Sequence, residues 1–196
     1  SLIHDDLPCM DDDDYRRGRL STHKKYDEAQ AILAGNSLLT MAFNLLAQDS
    51  NPSLVELLSL LSGHDGLAGG QSLDVDTIEK KLNSKLIKKI HEQKTARLFE
   101  FCSAAPFIIS NKSQKEINMS RKYGKIIGTV FQIIDDVHDY ENKDNEYVNI
   151  LNVMTKDDAL ETCYRYEVEA NSLRKKLLPN KKNRMNDILS FIINRK

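Results

Sequence analysis

Phe131-Gln132-Ile133-Ile134-Asp135-Asp136-Val137-His138-Asp139 stands near the end of a segment, Ser113 to Tyr140, that reads as one long helix. Ser113 is placed as its N-cap, with Glu116 three residues later, the pattern of a capping box. On that helix Gln132, Asp135, Asp136 and Asp139 fall at i, i+3, i+4 and i+7 and share one face. Phe131, Ile133, Ile134 and Val137 surround them with apolar surface, so this face is not simply solvated. Three ionised carboxylates so close repel one another unless a cation neutralises them. Hard oxygen ligands of this kind suit Mg²⁺, which keeps further positions for water and phosphate oxygens. The competing reading is an exposed helix face with incidental acids.

Outward from this segment the pattern stays helical. Ala29 to Ala47 is apolar around most of its circumference, as a helix buried among others would be. Pro52 opens a further helix that Gly63 closes. Gly66-Leu67-Ala68-Gly69-Gly70-Gln71 breaks the pattern, and Lys85 to Ala105 restores it up to Pro106. Glu141 to Tyr147 reads as a polar loop, and Lys156 to Leu177 and Lys182 to Ile193 as two more amphipathic helices. Strand alternation, repeats and low-complexity linkers are absent from the pattern. The expectation is a single all-α domain over residues 1–196.

Of the 196 residues, 28 are Lys or Arg and 29 Asp or Glu, a net charge of -1 that gives no reason to expect nucleic acid or an anionic membrane as partner. Cys9, Cys102 and Cys163 lie far apart, so neither a zinc knuckle nor a disulfide framework is indicated and a reducing, cytoplasmic setting is the default expectation. No apolar stretch is expected to reach the roughly 20 residues of a membrane span. The chain opens with Ser1-Leu2-Ile3-His4-Asp5-Asp6 rather than with a basic and then apolar leader, and it begins inside what reads as a motif.

That motif is a second acidic cluster, Asp5-Asp6-Leu7-Pro8-Cys9-Met10-Asp11, followed by Asp12-Asp13-Asp14 and Arg16-Arg17-Gly18. Pro8 discourages a continuous helix, so Asp5, Asp6 and Asp11 can converge from a helix end and the loop after it. Carboxylates holding Mg²⁺ beside a guanidinium pair can grip a diphosphate. Asp12 to Asp14 read as solvated charge. Between the clusters, His91 and Lys94 share a helix face, and Lys94 with Thr95 could meet a phosphate, though such a pair is usually surface. His4, His23, His64 and His138 have no metal-ligand spacing.

Taken together these motifs resemble the trans-isoprenyl diphosphate synthase (polyprenyl synthetase) family. Ser1 to Gly18 is similar to its first aspartate-rich motif in the bacterial form, with four residues between the acids; Ala31-Ile32-Leu33-Ala34-Gly35 is similar to the helix that follows. Gly69-Gly70-Gln71 with Asp74 resembles its G-G-Q-x-x-D, Lys94-Thr95 its K-T, and Phe131 to Asp139 its second motif. The resemblance implies an isoprenoid synthase helical bundle around a central cavity, lacking the family's N-terminal helices, and a homodimer. It implies three Mg²⁺ ions held by Asp5, Asp6, Asp11, Asp135 and Asp139, with Arg16, Lys94 and Lys143 on the allylic diphosphate and Arg17 on isopentenyl diphosphate. Lys94, Thr95 and Gln132 would steady an allylic cation, and Asp136 would act behind the ligands.

The activity so implied is condensation of isopentenyl diphosphate with dimethylallyl or geranyl diphosphate. Farnesyl diphosphate is the expected product, because the four-residue spacing resembles bacterial farnesyl synthases; geranylgeranyl diphosphate is the alternative. A class I terpene cyclase would replace the second motif with an N-S-E type triad and lack Arg-Arg-Gly and Lys-Thr. A non-catalytic subunit or decayed enzyme is the reading from another class. Two departures bear on it: the family's N-terminal helices are lacking, and Tyr147 stands where the family usually has a lysine.

Overall fold

The computed structural model describes residues 1–49, 51–77, 82–142, 148–179, 185 and 187–195, with residues 141 and 142 described in backbone only. Lys143 and Tyr147 therefore lie outside the described residues, as does most of the start expected for the last helix. Apart from one small hairpin, the regular structure among the described residues is helical, as the sequence predicts. The chain divides into two compact units, Ser1–Val55 and Glu56–Lys196.

The first unit starts with a single helical turn, α1 (Leu2–Asp5), and a loop that leads to a hairpin of β1 (Tyr15–Arg16) and β2 (Arg19–Leu20). Tyr15 pairs with Leu20 and Arg16 with Arg19, so the turn has two residues. Those two, Arg17 at φ 54° and Gly18 at φ 73°, are both left-handed, the backbone of a type I′ turn. A Cβ at Gly18 would meet nothing, so the glycine serves the backbone angle and not space. After α2 (Thr22–Lys25) comes α3 (Glu28–Ala47), capped by Asp27, whose carboxylate accepts from Gln30 N at 2.7 Å. α1 and α2 both pack on α3, and His4 Nε2 lies 3.1 Å from Ile32 O.

Two expectations about α3 need correction. Only Ala31 and Gly35 of this helix are buried, while Leu33, Leu38, Leu39, Met41 and Leu45 are exposed. Its apolar circumference is real, but its own unit covers only the stripe under α1 and α2. With 20 residues and an 18-residue window of mean hydropathy 1.3, it is also long and apolar enough, by length and composition, to cross a membrane. The polar residues Asn36, Ser37, Thr40 and Asn44 interrupt the run without bringing it below that level.

α4 (Pro52–Ser62) carries the chain into the second unit, with proline at its first position and Gly63 N closing it onto Ser59 O, as expected. The glycine-rich stretch is not a break. It forms α5 (Leu67–Val75), because a Cβ on Gly70 would fall 2.2 Å from Lys94 N; the missing side chain lets α5 pack against the next helical segment. α6 (Ser84–Ile90) runs through a π-helical turn, His91–Ala96, into α7 (Arg97–Ile109). α7 continues past Pro106. The ring costs a backbone hydrogen bond, but Ala104 and Ile108 on either side of it are buried, and that packing keeps the helix going.

α8 (Gln114–Asn142) is 29 residues long and opens on the expected box: Ser113 N donates to Glu116 Oε2 at 3.0 Å, and Glu116 N to Ser113 Oγ at 3.3 Å. It lies along α7, α9 (Lys156–Leu177) and α10 (Ile188–Ile193). Thr155 caps α9 by accepting from Asp158 N. The core of this unit runs down α8 through Tyr123, Ile127, Val130 and Ile134, meeting Ile87 and Ile90 of α6 and Ala159, Cys163 and Ala170 of α9.

Candidate active site

The first acidic cluster sits at the end of α1. Asp5 is the last residue of the turn, Asp6 its C-cap, and the chain then folds back: Met10 N and Asp12 N both donate to Leu7 O, and Asp11 N to Asp5 O at 3.0 Å. Proline at position 8 ends the helix, and the left-handed Asp12 (φ 50°) completes the loop. Asp11 is exposed and Asp5 half-buried. Asp6 is only 2% exposed. Its Oδ1 accepts from Arg16 Nε at 2.8 Å and Nη2 at 2.5 Å, while Nη2 also reaches Asp13 Oδ2 at 2.7 Å.

This changes the reading of the four-acid run. Asp13 shares Arg16 with Asp6, Lys24 Nζ lies 2.8 Å from Asp14 Oδ1 and 3.8 Å from Asp12 Oδ1, and His23 Nε2 is 3.8 Å from Asp12 Oδ1. These aspartates are the counter-ions of the hairpin and α2, not simply solvated charge. The hydrogen bond with Asp6, opposed by desolvation and helped by the field of Asp6, Asp13 and Asp5, holds Arg16 above the ordinary guanidinium pKa. Arg17 is exposed in the turn.

The second cluster is on α8, where Asp135 and Asp139 stand one turn apart with Asp136 between them. Asp136 is fully buried. Its Oδ1 accepts from Gln132 Nε2 at 3.0 Å and its Oδ2 from Ile150 N at 2.6 Å. Its backbone carbonyl accepts from Asn149 Nδ2 at 2.8 Å, and His91 Nε2 lies 3.1 Å from Oδ2, off the direction of a hydrogen bond. Asp136 thus faces inward and fastens the start of the short 3₁₀ turn Ile150–Asn152 to α8. The helical face inferred from spacing therefore divides in two, with Asp136 packed and Asp135 42% exposed in its side chain.

Lys94 and Thr95 are on the π-helical turn, a form that recurs at functional sites. Thr95 Oγ1 donates to Gln132 Oε1 at 2.7 Å, so Thr95, Gln132 and Asp136 form one chain of hydrogen bonds. Lys94 Nζ donates to Asp74 Oδ2 at 2.6 Å. Sequence reasoning had no signal for Arg195, whose Nη2 donates to Asp135 Oδ1 at 2.5 Å while its guanidinium carbon lies 4.2 Å from the centre of the Phe131 ring. Nor did it anticipate Asn149 or the backbone of Ile150. A surface groove of about 600 Å³ in the second unit, lined by Lys85, Lys88, Lys89 and Arg97 among others, includes none of the residues inferred above.

Among the described residues no three His, Cys, Asp or Glu side chains stand close enough to form a metal centre by themselves. The donor chemistry still fits Mg²⁺, an ion that takes one or two carboxylates and fills its remaining positions with water and phosphate oxygens. Asp135 and Asp139 on one helix face supply such a pair, and Asp5 and Asp11, tied through their backbones, supply another.

The profile of the polyprenyl synthetase family matches residues 1–164. The chain belongs to the polyprenyl synthetase family. It is similar to the farnesyl diphosphate synthase of Micrococcus luteus, 44% identical over 146 residues, covering 72% of this chain and 50% of that protein. It is 40% identical to the farnesyl diphosphate synthase of Bacillus subtilis over 154 residues, covering 74% and 52%. Among solved structures, a geranyltransferase from Helicobacter pylori complexed with magnesium and isoprenyl diphosphate superposes with a TM-score of 0.80 at 29% identity, covering 98% of this chain and 69% of that one. The chain spans about half the length of the two synthases it matches. Within this family member each unit carries candidate residues of its own: the first aspartate cluster in Ser1–Val55, and the Lys94-Thr95 turn with the second cluster in Glu56–Lys196.

Proposed function

We propose that the protein is a Mg²⁺-dependent prenyltransferase that joins isopentenyl diphosphate to dimethylallyl or geranyl diphosphate and releases farnesyl diphosphate and diphosphate. One observation carries the reading. The second motif keeps Asp135 and Asp139 on one helix face while Asp136, locked by Gln132 and Ile150, turns inward. The motif itself, Asp135-Asp136-Val137-His138-Asp139 in place of an N-S-E type triad, favours an elongating synthase over a cyclase.

Asp5, Asp6, Asp11, Asp135 and Asp139 are the residues assigned to hold Mg²⁺, three ions in all; Asp6 carries a second oxygen beyond the one committed to Arg16. The bound metal supplies electrostatic relief for the negative charge of the leaving diphosphate. Arg16, Lys94 and Lys143 bind that diphosphate as it parts from the allylic carbon, and Arg17 holds isopentenyl diphosphate. Thr95 and Gln132, fixed by their mutual hydrogen bond, turn their dipoles to the allylic cation together with Lys94. The alkene of isopentenyl diphosphate then attacks, a carbon–carbon bond forms, and the adjacent proton leaves to the departing diphosphate. The carboxylates act as metal ligands and not as acids or bases.

We also assign the protein to the cytoplasm and to a homodimer. On this reading the apolar side of α3, interrupted by Asn36, Thr40 and Asn44, is a subunit surface and not a membrane span.

The test is turnover by the full-length protein with Mg²⁺, isopentenyl diphosphate and geranyl diphosphate. A C15 diphosphate is expected. A C20 product moves the assignment to geranylgeranyl diphosphate, a cyclic hydrocarbon moves it to a cyclase, and an intact chain without turnover overturns it in favour of a non-catalytic subunit.

A further inference from the structure

Lys94 is held from a direction that its assigned role does not explain. Asp74 lies four residues after Gly70 on α5, so both occupy the face that packs on the π-helical turn. Gly70 brings the helix so near that a Cβ there would fall 2.2 Å from Lys94 N. One turn further on, Asp74 Oδ2 accepts from Lys94 Nζ at 2.6 Å. The two side chains are 23% and 18% exposed, so the pair is shielded but within reach of a ligand. The next residue, Thr95, is fixed from the other side by Gln132. The turn is thus clamped between α5 and α8, and each of its two active side chains has its own anchor.

We propose that Asp74 is a positioning residue for Lys94. A lysine has four rotatable bonds and a compact charge, so an ion pair made before the diphosphate arrives lessens the ordering that binding must supply. With Asp74 in place part of the ordering precedes binding, and the ammonium needs only to share its hydrogen bonds with the incoming oxygens. Asp74 touches neither substrate nor reacting atoms; it acts through Lys94. The inference rests on the assignment of Lys94 to the allylic diphosphate.

The experiment is a double-mutant cycle in the full-length protein with Asp74→Ala, Lys94→Ala and both together, read as KM for geranyl diphosphate, kcat, and affinity for inorganic diphosphate with Mg²⁺ by calorimetry. Asp74→Ala is expected to raise KM and weaken diphosphate binding about tenfold, within the coupling found for contacting residues, with a smaller change in kcat. Asp74→Glu should recover much of the loss, since its carboxylate can still meet Nζ. The double variant should be no worse than Lys94→Ala. Unchanged or tighter diphosphate binding in Asp74→Ala overturns the proposal, because Asp74 would then be a competing counter-ion. Losses that add in the double variant overturn it too, while leaving the role of Lys94 standing. Lys94→Ala without effect overturns both. Thermal unfolding of each variant, with Asp74→Asn as the near-isosteric substitute if the alanine does not fold, separates a folding defect from a positioning one.

Discussion

The two aspartate clusters hold like charges close together by different means. The first, at the end of α1, is built on loop and hairpin, and its charges are balanced by cations drawn from nearby in the chain: Arg16 for Asp6 and Asp13, Lys24 for Asp14. The second stands on a 29-residue helix, and its central acid is satisfied mainly by neutral donors, the Gln132 amide and the Ile150 N–H, with His91 alongside. Ion pairs near a surface weaken with salt and contribute little each, whereas a buried carboxylate with committed hydrogen bonds is expensive to disturb. The outer pairs of the first cluster, Lys24 with Asp14 and Arg16 with Asp13, are therefore adjustable, while Asp6, nearly as buried as Asp136, is fixed by Arg16.

Substitution at the exposed ligands should give the largest effect. Asp135→Ala and Asp5→Ala should each lower turnover of the full-length protein by roughly 1,000-fold or more, the scale of several kcal/mol of lost metal-ion stabilisation. Stability should move by less than about 1 kcal/mol, as for other partly exposed ion pairs. Steady-state kinetics and thermal unfolding on the same samples check both halves. Retained turnover in either variant would remove that residue from the ligand set.

The next effect is structural and falls unequally on the two clusters. Asp136→Asn puts an amide NH₂ or a neutral oxygen against the Ile150 N–H and Gln132, and should cost about 3 kcal/mol, the scale of breaking a buried, hydrogen-bonded charge. Asp14→Asn loosens only the exposed pair with Lys24 and should cost only a fraction of that. That penalty should shrink as salt rises from 0.05 to 0.5 M, an order-of-magnitude range across which screening lengths fall severalfold, and the Asp136→Asn penalty should not. Urea unfolding at the two salt concentrations decides it. Equal costs with equal salt dependence would erase the contrast between the adjustable outer pairs and the rigid Asp136.

What the sequence made legible follows the range of the interactions involved. α8 and its capping box were readable because apolar periodicity and a Ser113–Glu116 pair are local signals. The face shared by Gln132, Asp135 and Asp136 was also readable, but spacing alone does not say which acid points inward. That is decided by Ile150 and Asn149, which arrive from a later turn. α5 was hidden because its glycines score as breakers; the purpose of Gly70, close approach to Lys94, depends on a segment some twenty residues on. The π-helical turn has no pattern of its own. Asp12 to Asp14 read as solvated charge because their cations, Arg16 and Lys24, are brought to them by α2 and by a hairpin only two residues long in each strand, below what alternation can reveal.

The smallest predicted effect tests the contrast at its weakest point. Arg195 Nη2 sits on Asp135 Oδ1 at 2.5 Å with its guanidinium stacked over Phe131, so the second cluster also borrows an arginine, from 60 residues away. If Asp135 is a metal ligand, that guanidinium occupies part of the space and charge the metal uses, and Mg²⁺ must displace it. Removing it should then favour the metal by about the strength of a partly exposed pair, under 1 kcal/mol, or a two- to fivefold tightening. Calorimetric titration of Mg²⁺ into full-length Arg195→Ala is expected to show that gain, with Arg195→Lys between it and the unaltered protein. Asp135→Ala should abolish the difference, because the two residues act at one point. A weaker Mg²⁺ affinity in Arg195→Ala would mean instead that Arg195 orients Asp135 for the metal. The second cluster would then depend on a distant cation as the first depends on Arg16, and its rigidity would be confined to Asp136 and the residues that hold it.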